Sequence, residues 1–200
     1  MLRRLFLILL TTGLVGSLAA CNADRKFASD AAVAAATYVA GPPASITLIT
    51  SINGRSGAGA HSALIINGSQ RVLYDPAGSW ELTDGLAPER NDLHYGMTPP
   101  ILASYIAFQS AGIFQVISQT VDVPLAEADA AIAAAVAHGP APKAYCSRSV
   151  SSILRKLPGF EAVPETFFPK ALSRGFAKVA GVTETTILGT DESDVPAKTN

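Results

Sequence analysis

Residues 144–157 read AYCSRSVSSILRKL, and a single cysteine stands at the head of what the spacing predicts to be a helix. Val150, Ile153, Leu154 and Leu157 recur at i, i+3, i+4 and i+7, the apolar stripe of a helix packed on a core. Ser147, Arg148, Ser151 and Arg155 fall mostly on the other faces, and Pro158-Gly159 stops the run. Cys146 therefore belongs in or just before the first helical turn. Backbone N–H groups there lack intrahelical acceptors, and the positive end of the helix dipole favours a thiolate over a thiol. The same N–H groups suit a developing oxyanion. A free cysteine is also a common space-filling core residue, so this stretch alone leaves nucleophile and filler both open.

The amino terminus bears on which reading to prefer. MLRRLFLILLTTGLVGSLAAC carries Arg3 and Arg4, an apolar run from Leu5 to about Leu18, and small residues before Cys21. This is the pattern of a secretory signal, and its apolar core is shorter than the about 20 residues of a comfortable bilayer span. Leu18-Ala19-Ala20-Cys21 resembles the bacterial lipobox. That resemblance implies cleavage of residues 1–20 and acylation of Cys21 by chains of the palmitate type. It also implies a periplasm-facing lipoprotein held to the membrane through Cys21. Asn22 stands where the inner-membrane retention signal would have Asp, which points to the outer membrane of a diderm bacterium. Several acyl chains give stable rather than transient attachment. If Cys21 is acylated, Cys146 has no partner in the chain, although the compartment permits disulfides. An unpaired thiol in an oxidising space is a chemical liability, which favours the functional reading.

Removing the first 20 residues leaves 13 basic against 16 acidic side chains, a formal charge of -3, and nothing that recruits nucleic acid. Residues 21–43 are alanine-rich, end in Gly41-Pro42-Pro43, and read as a flexible tether or loosely docked arm with a weak helix near 28–39. Residues 44–188 form one domain with one substantial core, and 189–200 form a polar, mobile tail.

Within the domain, Ser45–Ile52 is predicted as a strand running into the glycine-rich 53–60 stretch. No Gly-Lys-Ser/Thr follows, and the GxGxxG spacing breaks at Ser62, so a closely approached or flexible loop replaces any nucleotide-binding reading. His61–Ile66 and Arg71–Asp75 flank Asn67-Gly68-Ser69-Gln70 and read as a β-hairpin. His61 opens one arm and Asp75 closes the other, so antiparallel pairing brings a carboxylate to an imidazole it can orient. Residues 76–98 are loop-rich; Trp80 and Tyr95 are candidate substrate contacts there, and His94 is the reserve general base.

Helices are predicted over about 99–111, with Ile101, Leu102, Ile106 and Phe108 as its larger apolar residues, and from Pro124 to about His138. The second would bury Leu125, Ala128, Ile132, Ala135 and Val136, with His138 structural at its carboxyl end. Phe114–Val123 lies between them as a strand, and a short helix is expected within 171–179.

The order His61, Asp75, Cys146, in the segments HSALII, VLYDPAG and AYCSRSVSSIL, resembles the circularly permuted papain-like enzymes of the NlpC/P60 superfamily, especially the YaeF/YiiX-like lipoprotein branch. The resemblance spans most of 45–158. It implies an α+β fold with a central antiparallel sheet and packed helices. It also implies a catalytic set of Cys146, His61 and Asp75, with Tyr74 as the alternative third-site residue and Tyr145 beside the nucleophile as a substrate contact. The implied activity is a thiol hydrolase or acyltransferase working on an amide or ester, including lipid-linked ones. Cell-wall peptide hydrolysis and a non-catalytic lipid-anchored binding protein are the alternatives. No cofactor is expected, and no HExxH or CxxC pattern suggests a metal.

Overall fold

The computed structural model describes residues 27–82 and 86–189. The expected signal segment and acylation site at Cys21, and the residues beyond Gly189 expected to form the tail, lie outside the described residues. In chain order the elements are α1 (Asp30–Ala35), β1 (Ser45–Asn53), β2 (Gly59–Asn67), β3 (Arg71–Tyr74), β4 (Glu89–Arg90), β5 (Leu93–His94), α2 (Pro99–Gln109), β6 (Phe114–Asp122), α3 (Leu125–His138), α4 (Cys146–Leu154), α5 (Pro169–Phe176) and β7 (Thr183–Ile187). The fold is α+β. Its seven strands make one antiparallel sheet in the order β4-β5-β3-β2-β1-β6-β7, with helices packed on both faces.

Burial on both faces explains the near-continuous apolar runs of β1 and β2. Successive side chains alternate across a strand, so Ile46, Leu48, Leu64 and Ile66 enter one core layer and Ile49, Ala63 and Ile65 the other. The first layer holds the stripe of α4, namely Val150, Ile153 and Leu154, together with Leu172 and Phe176 of α5. The second is built from Tyr105 of α2, Trp80 and Met97. Each fully buried Leu or Ile of these layers contributes about 1.5–3 kcal/mol of transfer free energy. The same alternation accounts for the irregular pattern of β6, whose Val116 and Val121 serve opposite layers.

The geometry that matters most for the site is the early end of β3. Its ladder with β2 runs from Asn67↔Arg71 to Leu64↔Tyr74 and stops there. Residues 61–63 of β2 remain paired to β1 through Ser51, Thr50 and Ile49 but have no strand on the other side. The glycine-rich connection ahead of β2 is closely approached. A Cβ at Gly59 would meet Pro169 Cβ at 2.9 Å, and one at Gly54 would meet the Ile113 carbonyl oxygen at 2.9 Å. The start of α5 is thereby seated two residues before His61.

Several expectations need correcting. In α3 the buried face is Ala128, Ala131 and Ala135, while Leu125 and Val136 are 54% and 55% exposed. Small residues let the helix lie close to the first layer, which a ranking by side-chain size overlooks. In α2 the buried side chains are Tyr105 and Gln109, not Phe108. In α4, Ser147, Ser149 and Ser151 are all buried, so its polar face is not a solvent face. The 76–98 excursion contains a hairpin: Glu89↔His94 and Arg90↔Leu93 pair around Asn91-Asp92, both at positive φ. Of the two readings of the arm, the contacts of its described part fit the docked one. Phe27 bridges to Arg90, the Ala28 N–H donates to the Glu89 carbonyl, and Asn67 Nδ2 donates to the Gly41 and Pro43 carbonyls. Finally, residues 183–187 add an edge strand whose Thr-Glu-Thr-Thr pattern has no apolar period to reveal it.

Candidate active site

Cys146 is the first residue of α4, preceded by Tyr145 as an N-cap that makes no side-chain capping bond. The first-turn N–H groups are left without intrahelical acceptors. Ala144, just upstream, has φ of 67°, a left-handed conformation uncommon for a residue with a Cβ. It occupies the third position of a turn closed by the Tyr145 N–H donating to the Pro142 carbonyl at 3.1 Å. The turn delivers the helix start, and with it the thiol, to the unpaired stretch of β2. Ser147 Oγ and Ser62 Oγ are 3.0 Å apart and pin the two elements together.

His61 and Asp75 arrive from the opposite layer. By alternation along β2 and β3 they share the face of Ala63 and Leu73. His61 Nε2 lies 2.6 Å from Asp75 Oδ1, the carboxylate is buried, and the imidazole keeps 15% exposure. Nε2 is the ring nitrogen engaged by the carboxylate. Tyr74 faces the other way: its hydroxyl lies 2.9 Å from His138 Nδ1 and donates to the Gly139 carbonyl at 3.3 Å. Asp75, not Tyr74, contacts the His61 ring.

The electrostatics favour an ion pair. Burial lowers the His61 pKa, but hydrogen bonds to Asp75 and Cys146 and the charges of both outweigh it and push the group up to about 10. Burial raises the Cys146 pKa, and this is outweighed by the hydrogen bond to His61, its positive charge, the Ser62 backbone and the Ser147 hydroxyl. The thiol is thus held below its ordinary range. Both shifts run in the direction of a thiolate beside an imidazolium.

A stability test follows from the signs. Raised His61 contributes stability that is complete below 6.5 and lost as pH rises through about 10. Depressed Cys146 contributes stability present above its ordinary value of 9.0 and lost as pH falls through the lowered one. Above both 6.5 and the lowered Cys146 value, and up to 9.0, the two contributions offset, because ionising the pair moves a proton without releasing it. Wild-type Tm should therefore change little across that window and fall from about 9.0 towards about 10. In Cys146→Ser the uncompensated His61 contribution should make Tm decline from near 6.5 onward. Parallel Tm curves for the two proteins would contradict the ion pair.

The remaining sequence candidates separate clearly. Trp80 and Tyr95 are only 4% and 6% exposed and are core residues, not substrate contacts. His94 is buried against Trp80, with ring centroids 5.1 Å apart. The groups acting on the thiol are His61, Ser62 and Ser147 rather than His94. Tyr145 is 42% exposed and meets Phe167 edge-on at 5.0 Å. Arg148, paired with Glu165, also lies over the Phe167 ring. Tyr145 and Phe167 thus form an exposed aromatic pair adjoining Cys146, and Phe168, next along the chain, is exposed as well.

Asp92 is a supporting residue that sequence reasoning missed. Its backbone carbonyl accepts from the Asp75 N–H at 2.8 Å. Its Oδ2 accepts from the Ala77 and Ala141 N–H groups at 3.0 and 2.8 Å. It thereby ties the turn after Asp75 to the loop leading to Cys146. The Asn-Asp pair of a two-residue hairpin loop was the available signal. Among the described residues, no group of three or more His, Cys, Asp or Glu side chains is placed to hold a metal ion. No helix among them is long and apolar enough to cross a membrane. No protein-family model, curated protein or solved structure matches the chain.

Proposed function

We propose that this protein is a cysteine-dependent hydrolase or acyltransferase of the permuted papain-like type, acting on an amide or ester with an apolar acyl part. The observation that carries the reading is the buried His61–Asp75 pair at 2.6 Å, with His61 and Cys146 near enough for each to shift the other's ionisation. The Cys146 thiolate attacks the carbonyl carbon, a C–S bond forms, and the carbonyl electrons move to oxygen, facing the first-turn N–H groups of α4. Collapse expels the amine or alcohol, which takes its proton from the His61 imidazolium. Water or an acceptor alcohol then gives a proton to His61, attacks the thioester and releases the thiolate.

The exposed Tyr145–Phe167 pair beside Cys146 favours an acyl chain over a polar peptide at the carbonyl side. Attachment through acylated Cys21 in the outer membrane would place the site near lipid substrates.

Turnover of paired panels of acyl esters, acyl amides and cell-wall peptides tests this reading, with Cys146→Ala as control. Activity on the acyl panel that vanishes in Cys146→Ala is expected. Phe167→Ala should raise KM for long acyl substrates about tenfold, as loss of one aromatic face worth about 1–1.5 kcal/mol implies. Preference for the cell-wall panel would replace the acyl reading, and undiminished turnover in Cys146→Ala would overturn the mechanism.

A further inference from the structure

Asp75 carries a negative charge into a buried position, and its surroundings are unusual for such a group. Oδ1 receives two hydrogen bonds, from His61 Nε2 at 2.6 Å and from the Tyr105 hydroxyl at 2.9 Å. Oδ2 is buried and has no hydrogen-bond partner among the described residues. Tyr105 is itself fully buried and comes from α2, on the opposite side of the carboxylate from the hairpin. One turn further along the same helix, Gln109 Nε2 donates to the Tyr105 hydroxyl oxygen at 3.1 Å. A phenol has one proton to give. Because the amide donates to its oxygen, that proton is directed to Asp75. The Gln109 backbone carbonyl in turn accepts from Ser51 Oγ at 3.0 Å, which anchors the end of α2 to β1.

We propose that Tyr105 is a positioning residue for the nucleophile pair, holding the Asp75 carboxylate in the rotamer that meets His61, and that Gln109 fixes the direction of its hydroxyl. The inference rests on the reading of Cys146 and His61 as a reactive pair. With Oδ2 unpartnered, Tyr105 is the one neutral donor that distinguishes the two carboxylate oxygens. Without it the carboxylate can turn about its Cβ–Cγ bond, and the imidazole loses its fixed tautomer and orientation. Burial and the neighbouring Asp75 charge raise the Tyr105 pKa well above the ordinary phenol value, so the hydroxyl keeps its proton throughout the working range. A core tyrosine retained only for packing would be replaceable by phenylalanine with little change in the chemistry nearby.

The test reads thiol chemistry directly and needs no substrate. Iodoacetamide alkylation of Cys146 is followed against pH in the full chain for wild type, Tyr105→Phe, Asp75→Asn and the double variant, with circular dichroism to confirm folding. Tyr105→Phe should reduce alkylation near pH 6 about tenfold or more and move the acid limb of the profile upward, as loss of one hydrogen bond to a charged group implies. In the Asp75→Asn background the same change should have almost no further effect, because the carboxylate it positions is gone. Gln109→Leu, which leaves the ring and the carboxylate intact, should shift the profile in the same direction by less, and decides the matter if Tyr105→Phe fails to fold. Effects of Tyr105→Phe and Asp75→Asn that simply multiply would overturn the proposal, as would a Tyr105→Phe or Gln109→Leu profile superposing on wild type. Failure of the underlying reading has a different signature: His61→Ala would then label like wild type.

Discussion

Replacing His61 with alanine is expected to abolish alkylation of Cys146 at mildly acidic pH. The argument turns on what remains around the thiol. Burial opposes its ionisation, and the hydrogen bond and charge of His61 are the largest influences acting the other way. Once the imidazolium is gone, burial is left against only the Ser62 backbone and the Ser147 hydroxyl, with the Asp75 carboxylate now uncompensated close by. The thiol then titrates at or above its ordinary value of 9.0. At pH 6 such a group is ionised on the order of one time in a thousand, and since the more basic thiolate that remains is the better nucleophile, alkylation should fall by roughly two orders of magnitude. Added imidazole should restore part of the rate by refilling the vacated space. The variant should also be less stable, since removing one partner of a buried pair costs about 3–5 kcal/mol. Circular dichroism and a thermal melt separate that loss from the chemical one. An alkylation profile unchanged from wild type would leave the helix start alone responsible for the thiol and would remove His61 from the mechanism.

Gly78→Ala is the second substitution with a large expected effect, and it acts without touching any reacting group. The turn after β3 folds back so that the Gly78 N–H donates to the Asp75 carbonyl at 3.0 Å. A Cβ at position 78 would overlap Asp75 Oδ2 and Cγ. The carboxylate is buried and bonded on its other side to His61 and Tyr105, so it cannot yield without breaking those contacts. Overpacking of this kind costs about 1–3 kcal/mol, and losing the charge-assisted bond to His61 adds about 1.5–3 kcal/mol. Low-pH alkylation of Cys146 should drop together with Tm. The clash requires the carboxylate, so in an Asp75→Ala background the added methyl should cost far less than in wild type. Equal costs in the two backgrounds would locate the damage in the turn backbone instead.

Much of this arrangement was legible in the residues. The 3.6-residue stripe of Val150, Ile153, Leu154 and Leu157 predicts the helix that presents Cys146, and these residues are indeed buried together. The hairpin between His61 and Asp75 follows from β-rich runs flanking Asn67-Gly68, and the strands pair as expected. What escaped the sequence is the second layer around the site. Tyr105 and Gln109 look like ordinary members of an apolar helix, because nothing in one strand of text tells which helix face will meet a carboxylate 30 residues away. Trp80 and Tyr95 misled for a related reason. An aromatic residue in a loop reads the same whether it lines a groove or closes a core. Exposed Leu125 and Val136 and buried Ala131 show the same weakness, since packing selects by fit and not by hydrophobicity alone.

The abrupt end of β3 has a mechanical consequence. Cys146 rides on a helix of one layer while His61 and Asp75 lie on the face belonging to the other, and in the proposed mechanism they meet across residues 61–63, where the ladder with β3 has ended. The reactive geometry is therefore a vernier between two independently packed slabs. A small slide of one slab against the sheet misaligns the thiolate and imidazole while leaving every strand pair intact. Chemical reactivity of Cys146 should then be the most sensitive gauge of packing in the whole domain, failing under core substitutions in either layer well before the cooperative unfolding transition moves.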